Sequence, residues 1–199
     1  MKTKREKLLG IGLIGTAFLL LFFSNHLVTG LGLRPYYGLK VKTSIQNHNF
    51  INHQNQRVSL EDFLDKYTYI FFGYTRCAST CPRGMSRLLR ISQSIPEANF
   101  LFISINPEFD HPDKLNEYIH AYPKNFHALK IENIQEFPSF LKQFNVQYSK
   151  SLFEKPEEIH HTGHIFLLDR KTDLRLVYPL GFDDLEKMKQ DRNQLDRKI

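Results

Sequence analysis

The two cysteines of the chain, Cys77 and Cys81, are separated by three residues in the segment GYTRCASTCP, residues 73–82. An apolar run precedes this segment and a helical pattern follows it. Two sulfurs at this spacing can do two kinds of chemistry. If the segment coils as one helical turn, the two Cα atoms lie about 6 Å apart, which a disulfide tolerates. The same separation lets both sulfurs bind one metal ion at about 2.3 Å.

The helical pattern places both sulfurs at the start of a helix. Proline is favoured at the first helical position, so Pro82 predicts a helix that begins there and ends near Ile95. This makes Cys81 the N-cap and puts Cys77 in the preceding loop. Unpaired N–H groups and the helix dipole favour an anion at this end. We therefore expect both sulfurs to be biased toward thiolate, which binds soft metals and attacks disulfides.

Two buried strands flank this helix. Residues 69–74 and 100–105 are apolar at nearly every position, which is typical of strands covered on both faces. Strand, helix and strand form a βαβ unit with the cysteines at the carboxyl end of its first strand. Ligands of α/β sheets tend to bind at that edge.

The other patterns build an α/β domain around this unit. The further predicted elements are a hairpin at residues 50–58, short helices from 59 to 66 and from 112, a strand at 126–129, a helix starting at about Phe137 or kinked at Pro138, a hairpin of residues 165–168 and 174–178, and a charged final helix at 183–197. They add up to a thioredoxin-like fold, a central mixed sheet flanked by helices with an N-terminal β-hairpin.

The N-terminal part of the chain predicts a membrane anchor. Residues 8–24 are 17 uncharged, almost wholly apolar positions, and residues 1–7 carry a net charge of +3 out of the chain's +6. The positive-inside rule then leaves the N-terminus in the cytoplasm. A cleaved signal peptide is the alternative, but no small-x-small cleavage site follows. We predict an anchor over residues 1–33, a linker over 34–49 and a folded domain over 50–199. The domain shows no basic stripe with interleaved aromatics, so we expect no nucleic-acid partner.

Three histidines within five residues supply candidates for a third metal ligand. They are His160, His161 and His164. In an extended strand His161 points to the opposite face from the other two, so at most two of the three can face the cysteines. Histidine is a common metal ligand and also a common loop residue.

Three motifs, in this order, resemble the SCO/SenC family of thioredoxin-fold copper chaperones, which serve the assembly of cytochrome c oxidase. FFGYTRCASTCP is similar to the family's FGYTxCxxxCP, SINPEFDHP to its SIDPxxDTP, and IHHTGHIFLLD to its VDHSxxxYLxD. The resemblance runs from about residue 50 to about residue 184 and includes an N-terminal anchor.

The resemblance implies a ligand set of Cys77, Cys81 and His161 for one copper ion, as Cu(I) or Cu(II). The chain departs from the family pattern at His160, where aspartate is usual, at His164, where an apolar residue is usual, and at Asn106, where aspartate is usual. These three residues and Asp110 are candidates for auxiliary groups around the ligands.

By resemblance the protein is a metallochaperone more than an enzyme. It would stand in the inner membrane with its domain in the periplasm, take copper from a donor protein and deliver it to the binuclear copper centre of oxidase subunit II, or to another copper-site protein. The alternative is a thiol-disulfide reductase that uses Cys77 and Cys81 to keep the cysteines of a copper-site protein reduced. A structural disulfide closing so short a loop would constrain the unfolded chain only slightly.

Overall fold

The computed structural model describes residues 14–20, 23, 35–150 and 159–197. The chain divides into two compact units, residues 1–36 with 193–199, and residues 37–192. Residues 14–20 of the first unit are helical. Within the described part, no helix combines the length and the apolar character needed to cross a membrane. The predicted anchor lies largely outside the described residues and stays a prediction.

The second unit is built on an eight-stranded mixed sheet with the strand order β1-β10-β9-β4-β5-β6-β2-β3. Its strands are β1 (Leu39–Ser44), β2 (Asn49–Asn52), β3 (Arg57–Ser59), β4 (Thr68–Gly73), β5 (Asn99–Ser104), β6 (Phe126–Ile131), β9 (Ile165–Leu168) and β10 (Asp173–Tyr178). A separate two-stranded sheet pairs β7 (Tyr148–Lys150) with β8 (Ile159–His161). The helices are α1 (Thr80–Ser94), α2 (Pro112–Ile119), α3 (Phe137–Gln143) and α4 (Leu185–Asp196). Short 3-10 turns span Leu60–Phe63 and Ile134–Glu136.

The predicted βαβ unit is confirmed. Strands β4 and β5 pair in parallel through residues 68–73 and 99–104, and α1 connects them. Every residue of both strands is buried, because helices cover both faces of the sheet. The ring of Phe72 packs on Phe140 and Phe144 near α3, whereas Phe102 packs on Tyr118 of α2. The cysteine loop therefore leaves the centre of a rigid sheet.

The predicted linker is wrong for part of its length. Leu39–Ser44 forms β1, an edge strand that pairs antiparallel with β10. Its side chains are mostly exposed, so the strand is held by backbone hydrogen bonds and buries little apolar surface. For that reason the sequence carries almost no periodic signal there. The short helix predicted up to Lys66 is also reduced, to the 3-10 turn Leu60–Phe63.

The helix after the cysteines begins earlier than predicted. Helix α1 starts at Thr80 with Ser79 as its N-cap residue, so Cys81 lies inside the first turn and not at the cap. Proline is tolerated throughout the first turn, where no intrahelical acceptor exists for its missing N–H, so Pro82 does not have to be the first helical residue. Two other starts agree with the prediction: Pro112 opens α2, and Phe137, one of the two alternatives, opens α3. The final helix begins at Leu185, two residues later than predicted.

Candidate metal centre

The carboxyl end of β4 brings three ligand atoms together. The sulfurs of Cys77 and Cys81 and a ring nitrogen of His161 all lie within 4.8 Å of one another. Cys77 is 8% exposed and Cys81 is fully buried, while His161 is partly exposed. The structure thus unites the three residues that the resemblance implies as ligands, although the histidine is 84 and 80 positions from the two cysteines.

The backbone of the loop and helix start fixes Cys77. Its N–H donates to the carbonyl of Tyr74 at 3.1 Å, which closes a tight turn after β4. Its sulfur accepts the N–H of Cys81 at 3.3 Å and so satisfies one of the unpaired donors of the first turn of α1. A hydrogen bond from the side chain of Cys81 lowers the pKa of Cys77 to about 3. Cys77 is therefore a thiolate at neutral pH.

Cys81 behaves in the opposite way. Its hydrogen bond to the Cys77 sulfur and its burial both raise the pKa of the Cys81 thiol above its usual value. The expectation of two thiolates is wrong for the metal-free protein, because two adjacent sulfurs share one proton more easily than they bear two charges. Gly73 makes room for this thiol, since a Cβ there would lie 2.7 Å from the Cys81 sulfur.

We predict that the reduced, metal-free protein carries one thiolate between pH 5 and pH 8. The pKa of Cys77 lies below this range and that of Cys81 above it, so neither sulfur titrates within it. The thiolate absorbance near 240 nm should stay constant over the range, at the value for one thiolate. Cys77→Ser should remove it. A titration step near pH 8 in the wild type would contradict the assignment.

His161 presents one ring nitrogen to the sulfurs. Its Nε2 lies 3.4 Å from the Cys81 sulfur and 3.9 Å from the Cys77 sulfur. Its Nδ1 lies 3.2 Å from the carbonyl oxygen of Thr162. A carbonyl only accepts hydrogen bonds, so Nδ1 donates to Thr162, and Nε2 is the ring nitrogen that faces the sulfurs. A backbone partner of this kind orients metal-binding histidines in general.

The other two histidines are not part of the three-ligand group. His160 is exposed on β8, on the face opposite to its neighbour, as strand alternation predicts. His164 lies closer to the core, where its ring faces Phe166 at 6.3 Å, and burial lowers its pKa. Neither residue belongs to the group that could hold one ion.

Asp110 stabilises the cysteine loop through hydrogen bonds to Thr75. Its carboxylate is fully buried and accepts hydrogen bonds from the hydroxyl of Ser104 and from both the N–H and the hydroxyl of Thr75. Thr75 is two residues before Cys77, so the carboxylate anchors the loop that carries the first ligand. Burial raises the pKa of Asp110. Asn106 contributes its backbone, whose carbonyl accepts the N–H of Asp110 at 2.9 Å.

Sequence reasoning missed Tyr74, which is 3% exposed and packs edge-on against the ring of His161 at 6.2 Å between centroids. Its hydroxyl accepts the N–H of Ile159 in β8. The sequence does not indicate which distant strand a tyrosine at the end of a buried strand will contact.

The donor set fits a soft, thiophilic metal ion. It offers one thiolate, a second sulfur that loses its proton on coordination, and one imidazole nitrogen. Structural zinc sites normally have four protein ligands, and this group supplies three. Copper stands at the top of the divalent affinity order, and Cu(I) prefers thiolates. The geometry therefore favours copper over structural zinc.

Comparison with known proteins gives a consistent result. The SCO1/SenC family profile matches residues 39–195. Protein sco1 of Schizosaccharomyces pombe is 24% identical over 167 residues, which cover 71% of this chain and 63% of that protein. The human mitochondrial SCO1 homolog is 25% identical over 124 residues, covering 58% of this chain and 41% of that protein. The chain thus matches less than two thirds of the length of these relatives.

Solved structures show the same fold. Copper-bound ScoI of Arabidopsis thaliana is similar with a TM-score of 0.67 and 20% identity, over 77% of this chain and 98% of that one. BsSco, described as having a disulfide switch and as a member of the Sco family of cytochrome c oxidase assembly proteins, gives a TM-score of 0.68 and 19% identity, over 80% and 97%. With the family profile matched over most of its length, the chain belongs to the SCO1/SenC family.

Proposed function

We propose that this protein binds one copper ion through Cys77, Cys81 and His161 and serves the assembly of cytochrome c oxidase. The observation that carries the proposal is the group of two sulfurs and one imidazole nitrogen within 4.8 Å of one another at the sheet edge. The copper-bound relative and the assembly role described for BsSco point in the same direction. Copper is the cargo of the protein.

The arrangement suits the transfer of an ion more than its permanent storage. Three protein ligands leave a coordination position that a ligand of another protein can enter. The histidine side of the group is partly exposed, whereas the sulfur of Cys81 is buried. An acceptor ligand therefore approaches from the side of His161. We propose that the acceptor is the binuclear copper centre of oxidase subunit II and that a separate copper donor loads the protein.

We further propose that residues 1–33 anchor the protein in the inner membrane, with the folded domain in the periplasm. The basic residues before the apolar segment support this orientation. Tethering would raise the effective concentration of the domain near a membrane-bound acceptor.

A second function is favoured by one observation, the ionised and hydrogen-bonded sulfur of Cys77 beside a free Cys81. In a reductase the Cys77 thiolate attacks a disulfide of a partner protein, and a mixed disulfide forms as one partner thiolate leaves. Cys81 then loses its proton and attacks Cys77, which releases the second partner thiolate and leaves a Cys77–Cys81 disulfide. The partner is reduced by two electrons and this protein is oxidised by two. This chemistry does not need His161.

The test is copper binding by the full chain in detergent, with matched histidine variants. The wild type should bind about one copper ion, with sulfur and imidazole scattering in X-ray absorption spectra. His161→Ala should lose the imidazole signal and weaken binding by about 10- to 100-fold or more, because a ligand is lost outright. His160→Ala, on the exposed face of the same strand, should bind as the wild type does.

Two outcomes separate the functions. Little copper in any variant, together with ready cycling of a Cys77–Cys81 disulfide and full reductase activity in His161→Ala, would contradict the copper proposal. Equal copper affinity in His161→Ala and His160→Ala would exclude His161 as a ligand.

A further inference from the structure

The three candidate ligands belong to two different sheets. Both cysteines follow β4, at the centre of the eight-stranded sheet, whereas His161 ends β8 of the two-stranded sheet. These two sheets are not joined by strand pairing. The distance between His161 and the sulfurs therefore depends on the short connection from β8 to β9, which pairs with β4, and on contacts between β8 and the cysteine loop.

Tyr74 makes such contacts with both parts of the site. Its backbone carbonyl accepts the N–H of Cys77 at 3.1 Å. Its hydroxyl accepts the N–H of Ile159, two residues before His161, in a buried hydrogen bond of 3.1 Å. Its ring meets the ring of His161 edge-on, with an interplanar angle of 76°. Tyr74 thus belongs to the cysteine loop through its backbone and contacts β8 through its side chain.

We propose that Tyr74 is a positioning residue whose hydroxyl holds β8 against the cysteine loop and so determines how firmly His161 is held near the sulfurs. The inference rests on the proposed function, because it concerns the third ligand of the same site. The two cysteines are fixed by the turn after β4 and by the start of α1. The imidazole belongs to a strand outside the eight-stranded sheet, and it is the partly exposed ligand of the group.

The hydrogen bond to Ile159 has the properties that such a role requires. It is buried, so water cannot easily replace the hydroxyl when the bond breaks, and the N–H of Ile159 would then lose its partner. Strand β8 is also held by its pairing with β7, which keeps it in place when the tyrosine hydroxyl is absent. Removing the hydroxyl therefore loosens His161 without detaching it.

The experiment compares Tyr74→Phe with Tyr69→Phe in the full chain. Tyr69 precedes Tyr74 in the chain, in β4, and is fully buried, but its hydroxyl forms no hydrogen bond with the described residues. Both variants lose a buried hydroxyl and keep the ring, so both should fold. Two properties are measured: amide hydrogen exchange at Ile159 in the metal-free protein, and the rate of Cu(I) loss to excess bathocuproine disulfonate.

In Tyr74→Phe, exchange at Ile159 and copper loss should both be about 2- to 12-fold faster, which corresponds to the loss of one buried hydrogen bond. X-ray absorption should still show two sulfurs, with weaker imidazole scattering. Tyr69→Phe should match the wild type in all three measurements.

Unchanged exchange at Ile159 in Tyr74→Phe, or equal changes in both variants, would overturn the proposal. Faster exchange with an unchanged rate of copper loss would also overturn it, because the hydroxyl would then hold the strand without affecting the ligand. A wild type that binds no copper would refute the proposed function instead. In that case amide exchange at Ile159 alone would decide whether the Tyr74 hydroxyl holds β8.

Discussion

Replacing Cys77 with serine should lower copper affinity by about 1,000-fold. Structural zinc sites bind their ion with about 10–16 kcal/mol through four ligands, which suggests roughly 2.5–4 kcal/mol for each ligand, and 1.4 kcal/mol is a factor of ten. The loss should be at the upper end, because Cys77 is the sulfur already ionised in the metal-free protein. Competition with a Cu(I) chelator of known affinity would measure it.

Cys81→Ser is the informative comparison for this variant. Its hydroxyl can still donate to the Cys77 sulfur, so it should keep the thiolate absorbance while losing a sulfur ligand for copper. Cys77→Ser should lose both. If Cys77→Ser still held one copper ion with wild-type affinity, the proposed ligand set would be wrong.

Gly84→Ala should destabilise the folded domain by about 2 kcal/mol. Gly84 is buried in α1, and a Cβ there would lie 2.2 Å from two ring atoms of Phe71, which is fully buried in β4. Overpacking of this kind destabilises the fold by about 3 kcal/mol, whereas the higher helix propensity of alanine relative to glycine stabilises it by about 1 kcal/mol. The steric clash outweighs the gain in helix propensity, because the ring of Phe71 also packs against His161 and has little room to move. Denaturant unfolding would measure the change.

Ser86→Ala provides the control on the same helix. Ser86 is exposed, so this change alters helix propensity alone and should be neutral or stabilising by about 0.5 kcal/mol. A Gly84→Ala protein as stable as Ser86→Ala would show that α1 can move away from the sheet. Such freedom would be inconsistent with a rigid support for the cysteines.

The sequence predicted those parts of the fold and site that are encoded locally. The apolar runs of β4 and β5, and the helix between them, placed Cys77 and Cys81 at the correct sheet edge. Strand β1 was missed, because an edge strand that buries little side-chain surface leaves no pattern. Strand alternation correctly separated His160 from His161 but could not decide which of them faces the sulfurs. That choice came from the resemblance and depends on where β8 packs.

The unequal ionisation of the two cysteines could not be read from the sequence for a similar reason. A helix start favours anions at both positions, but the proton is placed by a hydrogen bond between the two sulfur side chains. The support from Asp110 and Tyr74 likewise depends on contacts across 35 and 85 residues. Local patterns contain no information about such pairs.

The distance along the chain between the ligands links copper loading to the completion of folding. The cysteine loop and His161 meet only after the parallel strands between them have paired and β8 has reached the sheet edge. Contacts this distant in sequence form late, because chain entropy is lost before they are gained. A partly folded chain can offer copper its two sulfurs but not the complete site. High-affinity copper binding thus reports on folding, since only a correctly folded molecule offers all three ligands.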